Sequence, residues 1–260
     1  MTYLFCHSGL AALDEALRAC PLLAFDFDGT LAPIVENPDE AYVPAALAQR
    51  LERLARLRPL AIITGRTIAD VSHRLGFVPR FIVGNHGAEV PGQVPTFDPA
   101  PLDAIRARIR AHAAELHSSR IRIEDKRYSV AMHYRRARDQ RQALARIEAL
   151  CSGLDPALRF IGGKFVVNAI LEAAPDKADA VASLVECARC GTALFAGDDT
   201  NDEAVFERAP PNWLTIHVGH DDAVSRAAFY VENHEEIALL LDRSLRVLEP
   251  MQRGQQEVVA

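Results

Sequence analysis

Two carboxylates stand two residues apart in Asp26-Phe27-Asp28-Gly29-Thr30, directly after the apolar run Pro21-Leu22-Leu23-Ala24-Phe25. Side chains two apart on an extended segment share a face, so a strand ending here turns both acids into one crevice. A phosphate ester is anionic and repels nucleophiles. A carboxylate attacks it only beside a cation, and the acyl-phosphate that forms splits one hard displacement into two easier ones. Asp26 is the nucleophile on this reading. Asp28 is the general acid that protonates the leaving alkoxide and then the general base that activates water. Gly29 and Thr30 let backbone N–H groups turn towards phosphate oxygens.

A second acidic run, Gly197-Asp198-Asp199-Thr200-Asn201-Asp202-Glu203, follows the apolar stretch Thr192-Ala193-Leu194-Phe195-Ala196. Mg2+ takes oxygen ligands and keeps several waters, so a few carboxylates suffice to hold it. Asp26, the carbonyl of Asp28, and Asp198 are expected as direct ligands, with Asp199 or Asp202 holding metal-bound water. The plainer alternative is an acidic helix N-terminus favoured by the macrodipole. Thr64, in Ile63-Thr64-Gly65-Arg66, can donate to a phosphoryl oxygen, and Lys177 can neutralise charge on the nucleophile and the transferring group. Singly, Thr64 reads equally well as a helix cap. Lys177 reads as a solvated helix lysine, and Arg66 either as a phosphate ligand or as an exposed helix arginine.

These residues must be positioned by a larger frame. Apolar runs at 21–29, 59–65, 81–87, 192–199 and 213–219 alternate with helical stretches and read as buried parallel strands. Leu47, Leu51, Leu54 and Leu57 fall on one face of a crossover helix over 44–58 that opens with proline. The ends of the chain therefore predict a doubly wound α/β core. The middle differs. Leu102, Ile105, Ile109 and Leu116 keep helical spacing, 120–128 and 128–135 read as a hairpin, Leu144, Ile147 and Leu150 mark another helix, and 158–163 with 164–170 read as a second strand pair. That order is an inserted α+β unit, αββαββ, expected as a lid over 96–172, with the core formed by 1–95 and 173–260.

Composition bounds the rest. A chain of 260 residues with 49% hydrophobic side chains can bury a sizeable core, and a net charge of −6 gives no reason to expect nucleic acid or an anionic membrane as partner. No apolar run approaches the roughly 18–20 residues of a membrane span. Residues 1–20 carry Asp14, Glu15 and Arg18 in a helical pattern, unlike a secretory signal, so a cytoplasmic enzyme is expected. The five cysteines are scattered and odd in number; Cys187 and Cys190 form one C-x-x-C without the second pair a zinc site needs.

With Asp-Phe-Asp-Gly-Thr, Thr-Gly-Arg, a later lysine and Gly-Asp-Asp-x-x-Asp in this order, the sequence resembles the haloacid dehalogenase superfamily of phosphohydrolases over its core. The segments 84–89, 123–126, 129–135 and 163–164 narrow this: from about 25 to 206 the chain is similar to the trehalose-6-phosphate phosphatase family. The resemblance implies a Mg2+-dependent phosphatase acting on a phosphosugar, paired functionally with a trehalose-6-phosphate synthase. It implies that Glu124 and Lys126 hold sugar hydroxyls and that Lys164 binds substrate, with Gly65, Arg66, His86, His133, Arg135 and Asn168 as further substrate contacts. Three departures stand out: Asn168 where the family usually has glutamate, Thr200-Asn201-Asp202-Glu203 where a threonine usually precedes the aspartate, and Lys177-Ala178 in place of lysine-glycine. Rival readings are a phosphatase for another phosphorylated glycoside, a phosphosugar mutase, and a non-catalytic sugar-phosphate sensor. Arg122, Glu124 and Lys126 could also be a solvated cross-strand charge ladder.

Overall fold

The structure is a computed structural model that describes residues 1–219 and 225–259, with side chains as far as residue 252. Residues 220–224 and 260 of the expected core stretch lie outside the described residues. The chain opens with β1 (Thr2–Tyr3), α1 (His7–Arg18), β2 (Leu22–Phe25), α2 (Ala45–Leu57), β3 (Leu60–Ile63), α3 (Ile68–Ser72) and β4 (Phe81–Val83). An inserted unit follows: α4 (Leu102–Ala111), α5 (Ala113–Ser118), β5 (Arg122–Asp125), β6 (Ser129–His133), α6 (Gln140–Cys151), β7 (Leu158–Gly163) and β8 (Val166–Leu171). The chain then returns through α7 (Lys177–Cys187), β9 (Ala193–Gly197), α8 (Glu203–Arg208), β10 (Leu214–Val218), β11 (Phe229–Val231) and α9 (Ile237–Val259).

Among the described residues, seven strands form one parallel sheet in the order β1-β11-β10-β9-β2-β3-β4. Alternation along β2 explains why both faces are covered. Leu23 and Phe25 pack into a cluster with Leu13, Leu17, Leu51, Leu54 and Leu241, under α1, α2 and α9. Leu22 and Ala24 face the other way, onto Val181 and Leu184 of α7. A strand buried on both faces reads as a continuous apolar run, which is why these strands are visible in the sequence. Leu51 and Leu54 are wholly buried, and truncating either to alanine costs about 2–5 kcal/mol. β1, at the sheet edge, and β11, inside it, go unseen in the sequence because strands of two and three residues are too short to carry a period. No helix among the described residues is long and apolar enough to cross a membrane.

The inserted unit forms an antiparallel sheet in the order β5-β6-β8-β7. The helix expected over 102–116 is broken at His112 into α4 and α5, where ψ departs to 16°. Period-two alternation gives this sheet one apolar and one polar face. Val130, Met132, Ala169 and Leu171 pack beneath the helices with Leu102, Ile105 and Ile147. The other face carries Glu124, Ala131 and Asn168 in a single row, since Glu124 pairs with Ala131 and Ala131 with Asn168. That row looks onto the carboxyl ends of the parallel strands. The cysteines are all free thiols.

Candidate active site

The acids sit where the parallel sheet places them. Asp26 directly follows β2 and Asp198 directly follows β9, and these two strands are paired; Thr64 follows β3 on the other side of β2. Three adjacent strand ends thus converge on one point of the crevice where α/β sheets bind ligands. Gly29 closes the turn after Asp26 with φ at +85°, and a Cβ there would lie 2.0 Å from Asp198 Oδ2. Only glycine lets the two acidic segments approach this closely.

Lys177 opens α7 behind the cap of Asp176 and is 2% exposed. Its Nζ donates to Asp26 Oδ1 and to Asp202 Oδ1, both at 2.7 Å. A lysine buried this deeply between two carboxylates is not a solvated helix residue. Burial lowers its pKa, but Asp202 and Asp26 outweigh that and hold it above the ordinary lysine value. Asp202 also accepts through Oδ2 from the backbone N–H groups of Asp198 and Asp199, both at 3.0 Å, so both its oxygens are engaged in shaping the acidic loop.

Burial pushes the Asp26 carboxyl well above its usual range; Lys177 opposes this, and the nearby Asp202 and Asp198 add to it. Burial likewise raises Asp198 to about 7, against the pull of Lys164, whose Nζ donates to Asp198 Oδ2 at 2.7 Å. Asp198 Oδ1 is buried without a hydrogen-bond partner. Ligand oxygens from Asp26, Asp198 and Asp202 lie within 4.8 Å of one another. A buried, oxygen-only donor set with surplus negative charge and one orphaned carboxylate oxygen fits a hard divalent cation such as Mg2+. Asp199 lines the cavity beside this set, its Oδ1 accepting from Thr200 N at 2.8 Å and its pKa raised chiefly by burial.

One cavity gathers the residues singled out in the sequence. Asp26, Asp28, Lys177, Asp198 and Asp199 form its floor, Gly65, Arg66 and His86 one wall, and Glu124, Lys126, His133, Arg135, Lys164 and Asn168 the roof supplied by the inserted unit. Thr64 and Asp202 lie beneath the surface instead. Thr64 is wholly buried, and its Oγ1 accepts from the Arg66 N–H at 3.1 Å, which leaves its own proton to give.

Arg66 corrects the exposed-helix alternative. It precedes α3, is 8% exposed, and donates to both Asp28 oxygens, to Asp70 Oδ2 and to the Pro38 carbonyl. Four of its five N–H groups are therefore taken by protein. The charge-ladder alternative also fails. Lys126 lies beyond the end of β5, 8% exposed, with Nζ on the Gly65 carbonyl at 2.9 Å; Glu124 accepts from His133 Nε2 at 3.0 Å; Arg122 turns away to Asp39. Burial pushes the Glu124 carboxyl up, but His133 and Lys126 outweigh it and bring it down to about 2. Arg135 donates to the Val35 and Lys164 carbonyls and stacks over Phe165.

His86 is 6% exposed, and neither ring nitrogen forms a hydrogen bond of good geometry. Its ring fills the space above Gly65, where a Cβ would come within 2.4 Å of it. Burial, then the charges of Lys126 and Lys177, hold its pKa well below the ordinary histidine value, so the imidazole is neutral. Asn85 and His86 both adopt positive φ, 49° and 59°, and Asn85 ties this turn to the inserted unit through Ser129 Oγ at 2.7 Å. Sequence reasoning missed Asp70, Asn201 and the 34–41 loop, which also line the cavity. Asp70 had one available signal, its place four residues after Arg66.

The sequence profile of the trehalose-phosphatase family matches residues 24–233. The chain belongs to that family. Relatives named trehalose-phosphate phosphatase from Mycobacterium bovis and Mycobacterium marinum are 31% identical, the alignments covering 92% and 88% of this chain. The chain spans 65% of the length of these longer relatives. Among solved structures, a trehalose-6-phosphate phosphatase related protein superposes with a TM-score of 0.70 at 26% identity, over 89% of this chain and 99% of that one. The C-terminal domain of Candida albicans trehalose-6-phosphate phosphatase, at 19% identity, shares the fold with a TM-score of 0.75 over 92% of this chain and 96% of that one. The family's fold, a parallel haloacid-dehalogenase-like core with an antiparallel cap sheet, is the one seen here.

Proposed function

We propose that this chain is a phosphoric monoester hydrolase that cleaves trehalose 6-phosphate to trehalose and phosphate through an aspartyl-phosphate on Asp26. The observation that carries this is the placement of Asp26: buried, held by Lys177 at 2.7 Å, and facing a cavity roofed by polar cap residues. Family membership and the names of the relatives support the substrate. On this reading the cap extends over 96–172 and the core over 1–95 and 173–260.

Asp26 attacks phosphorus, and the P–O bond to the sugar breaks as Asp28 gives its proton to the leaving oxygen. The free Asp28 carboxylate then takes a proton from water, which attacks the phosphoryl group and restores Asp26. Arg66 fixes the direction in which Asp28 points, and one arm of its two-armed hold has to open for an Asp28 oxygen to carry that proton. Thr64 and Lys177 offer hydrogen bonds to the oxygens of the transferring group. Asp26, Asp198 and the Asp28 carbonyl would hold Mg2+, with Asp199 and Asp202 supporting it; when bound, it would offset negative charge between carboxylate and phosphate. Glu124, Lys126, His133 and Asn168 grip sugar hydroxyls, and that remote binding energy aligns the phosphate.

Rapid acid quench during turnover tests this reading. A peptide containing Asp26 should carry one added phosphate in wild type and none in Asp26→Asn, which should also lose phosphate release. Turnover by Asp26→Asn within tenfold of wild type would remove the nucleophile assignment.

A further inference from the structure

The active-site cavity does not end at the cap. His133, Arg135 and Lys164 line both that cavity and a second, smaller one. The second shares Glu36, Arg120, Arg122, Arg135 and Arg136 with a wide outer cavity of about 960 Å³. The middle space thus shares walls with both the catalytic cavity and the outer one, Arg135 lines all three, and each wall carries cations.

The fold explains why the arginines meet. β5 and β6 pair with Arg122 opposite His133, so Arg120 before β5 and Arg135 and Arg136 after β6 flank the same open end of the hairpin. Like charges facing across strands destabilise a sheet. A chain of net charge −6 nevertheless places four arginines here. Arg122 has Asp39 at 3.3 Å and Arg135 is fixed by two carbonyls, whereas Arg120 and Arg136 are exposed and form no side-chain ion pair with a described residue. The acid lining the outer groove is Glu36. A groove lined chiefly by one sign of charge, here four arginines against Glu36, concentrates counter-ions of the other sign and speeds their arrival.

We propose that this arginine groove is the approach route of the phosphorylated substrate, with Arg120 and Arg136 attracting its dianionic phosphate before it reaches Asp26. The inference rests on the phosphatase reading and adds residues that lie outside the catalytic cavity. The released inorganic phosphate shares the same chemistry and leaves along the same walls.

The test is kcat/KM for a phosphosugar at low and high salt, in wild type, the Arg120→Gln/Arg136→Gln double variant, its Arg→Lys counterpart, and Glu36→Gln. At about 20 mM salt the double Gln variant should lose roughly three- to tenfold in kcat/KM with kcat unchanged, and the difference should vanish near about 500 mM, where screening is strong. The double Lys variant should keep wild-type values, and Glu36→Gln should move kcat/KM upwards at low salt. Equal values in all variants at low salt, or a loss that persists at high salt, would overturn the proposal. If the double Gln variant fails to fold, Glu36→Gln decides alone by the sign of its low-salt change. If wild type releases no phosphate, the phosphatase reading fails, and calorimetry with inorganic phosphate then decides the groove. The double Gln variant should bind it several-fold more weakly at low salt, and unchanged binding would overturn the proposal.

Discussion

Arg66 holds Asp28 with two arms of its guanidinium, Nε on Oδ2 at 2.8 Å and Nη2 on Oδ1 at 2.7 Å. Its third nitrogen donates to Asp70, whose other oxygen accepts from Arg74. The direction of the proposed general acid is thus set by Arg66, Asp70 and Arg74, the first two of which also line the cavity.

Arg66→Gln should therefore resemble Asp28→Asn. Each should lower kcat on a phosphosugar by about 10²-fold or more, because general acid–base catalysis is worth about 10²–10⁴. p-Nitrophenyl phosphate, whose leaving group needs little protonation, should suffer far less. The double variant should be no worse than Asp28→Asn alone, since both changes act through one group. Equal losses on both substrates would remove Asp28 from the acid role.

Lys177→Met should cost about 3–5 kcal/mol of stability, because removing one partner of a buried ion pair leaves uncompensated charge. Here it would leave Asp26 and Asp202 facing each other unpaired. Urea unfolding of the variant against wild type measures this in the absence of metal. A loss under about 1 kcal/mol would mean that the site relaxes or takes up protons in place of the lysine.

Adding Mg2+ should raise Tm, because a ligand that binds only the folded state stabilises it, by about 2.7 kcal/mol at a hundred times Kd. Asp198→Asn should abolish the rise, and chelation should stop turnover in wild type. The rise should be smaller at pH 5 than at pH 8, since Asp198 is held up at about 7 by burial and must lose its proton to bind a cation. An undiminished rise in Asp198→Asn would place the metal elsewhere.

The fold was legible where burial imposes a period. Asp26 and Asp198 announce themselves because each ends an apolar run on a strand covered on both faces. Glu124 and Asn168 stand out through the resemblance to the trehalose-6-phosphate phosphatase family, and the pairing of both with Ala131 then sets them in one row of the cap sheet. The Arg66–Asp28 pair was not legible: it spans 38 residues, and no local pattern says which carboxylate a long side chain will reach. The burial of Arg66 and the reach of Lys126 to Gly65 follow from tertiary packing alone. The 34–41 loop carries no period at all, yet it lines the cavity. Site membership of the acids was therefore visible before their partners were.

His86 should contribute an acid-sensitive term to stability. Its folded pKa lies well below the ordinary 6.5, chiefly through burial. The unfolded chain therefore binds a proton below pH 6.5 that the folded chain refuses, so stability is full above 6.5 and falls as pH drops beneath it. The limiting slope is about 1.4 kcal/mol per pH unit for one such group. Asn tolerates the positive φ at this position. His86→Asn should then show a shallower loss of stability between pH 6.5 and 5 than wild type, measured by urea unfolding; parallel curves would show that His86 is protonated in the folded state.

Phosphate release from trehalose 6-phosphate, set beside a panel of other phosphorylated mono- and disaccharides at equal concentration with Mg2+, tests the proposed activity most directly. Trehalose 6-phosphate should give the highest kcat/KM, and Glu124→Gln should erase its advantage while leaving p-nitrophenyl phosphate hydrolysis nearly unchanged, because that ester has no sugar for the cap to hold. No phosphate from any phosphosugar would contradict the activity. Another glycoside phosphate ahead by tenfold or more, with Asn168→Glu reversing the order, would contradict the substrate and assign it to the residue at 168.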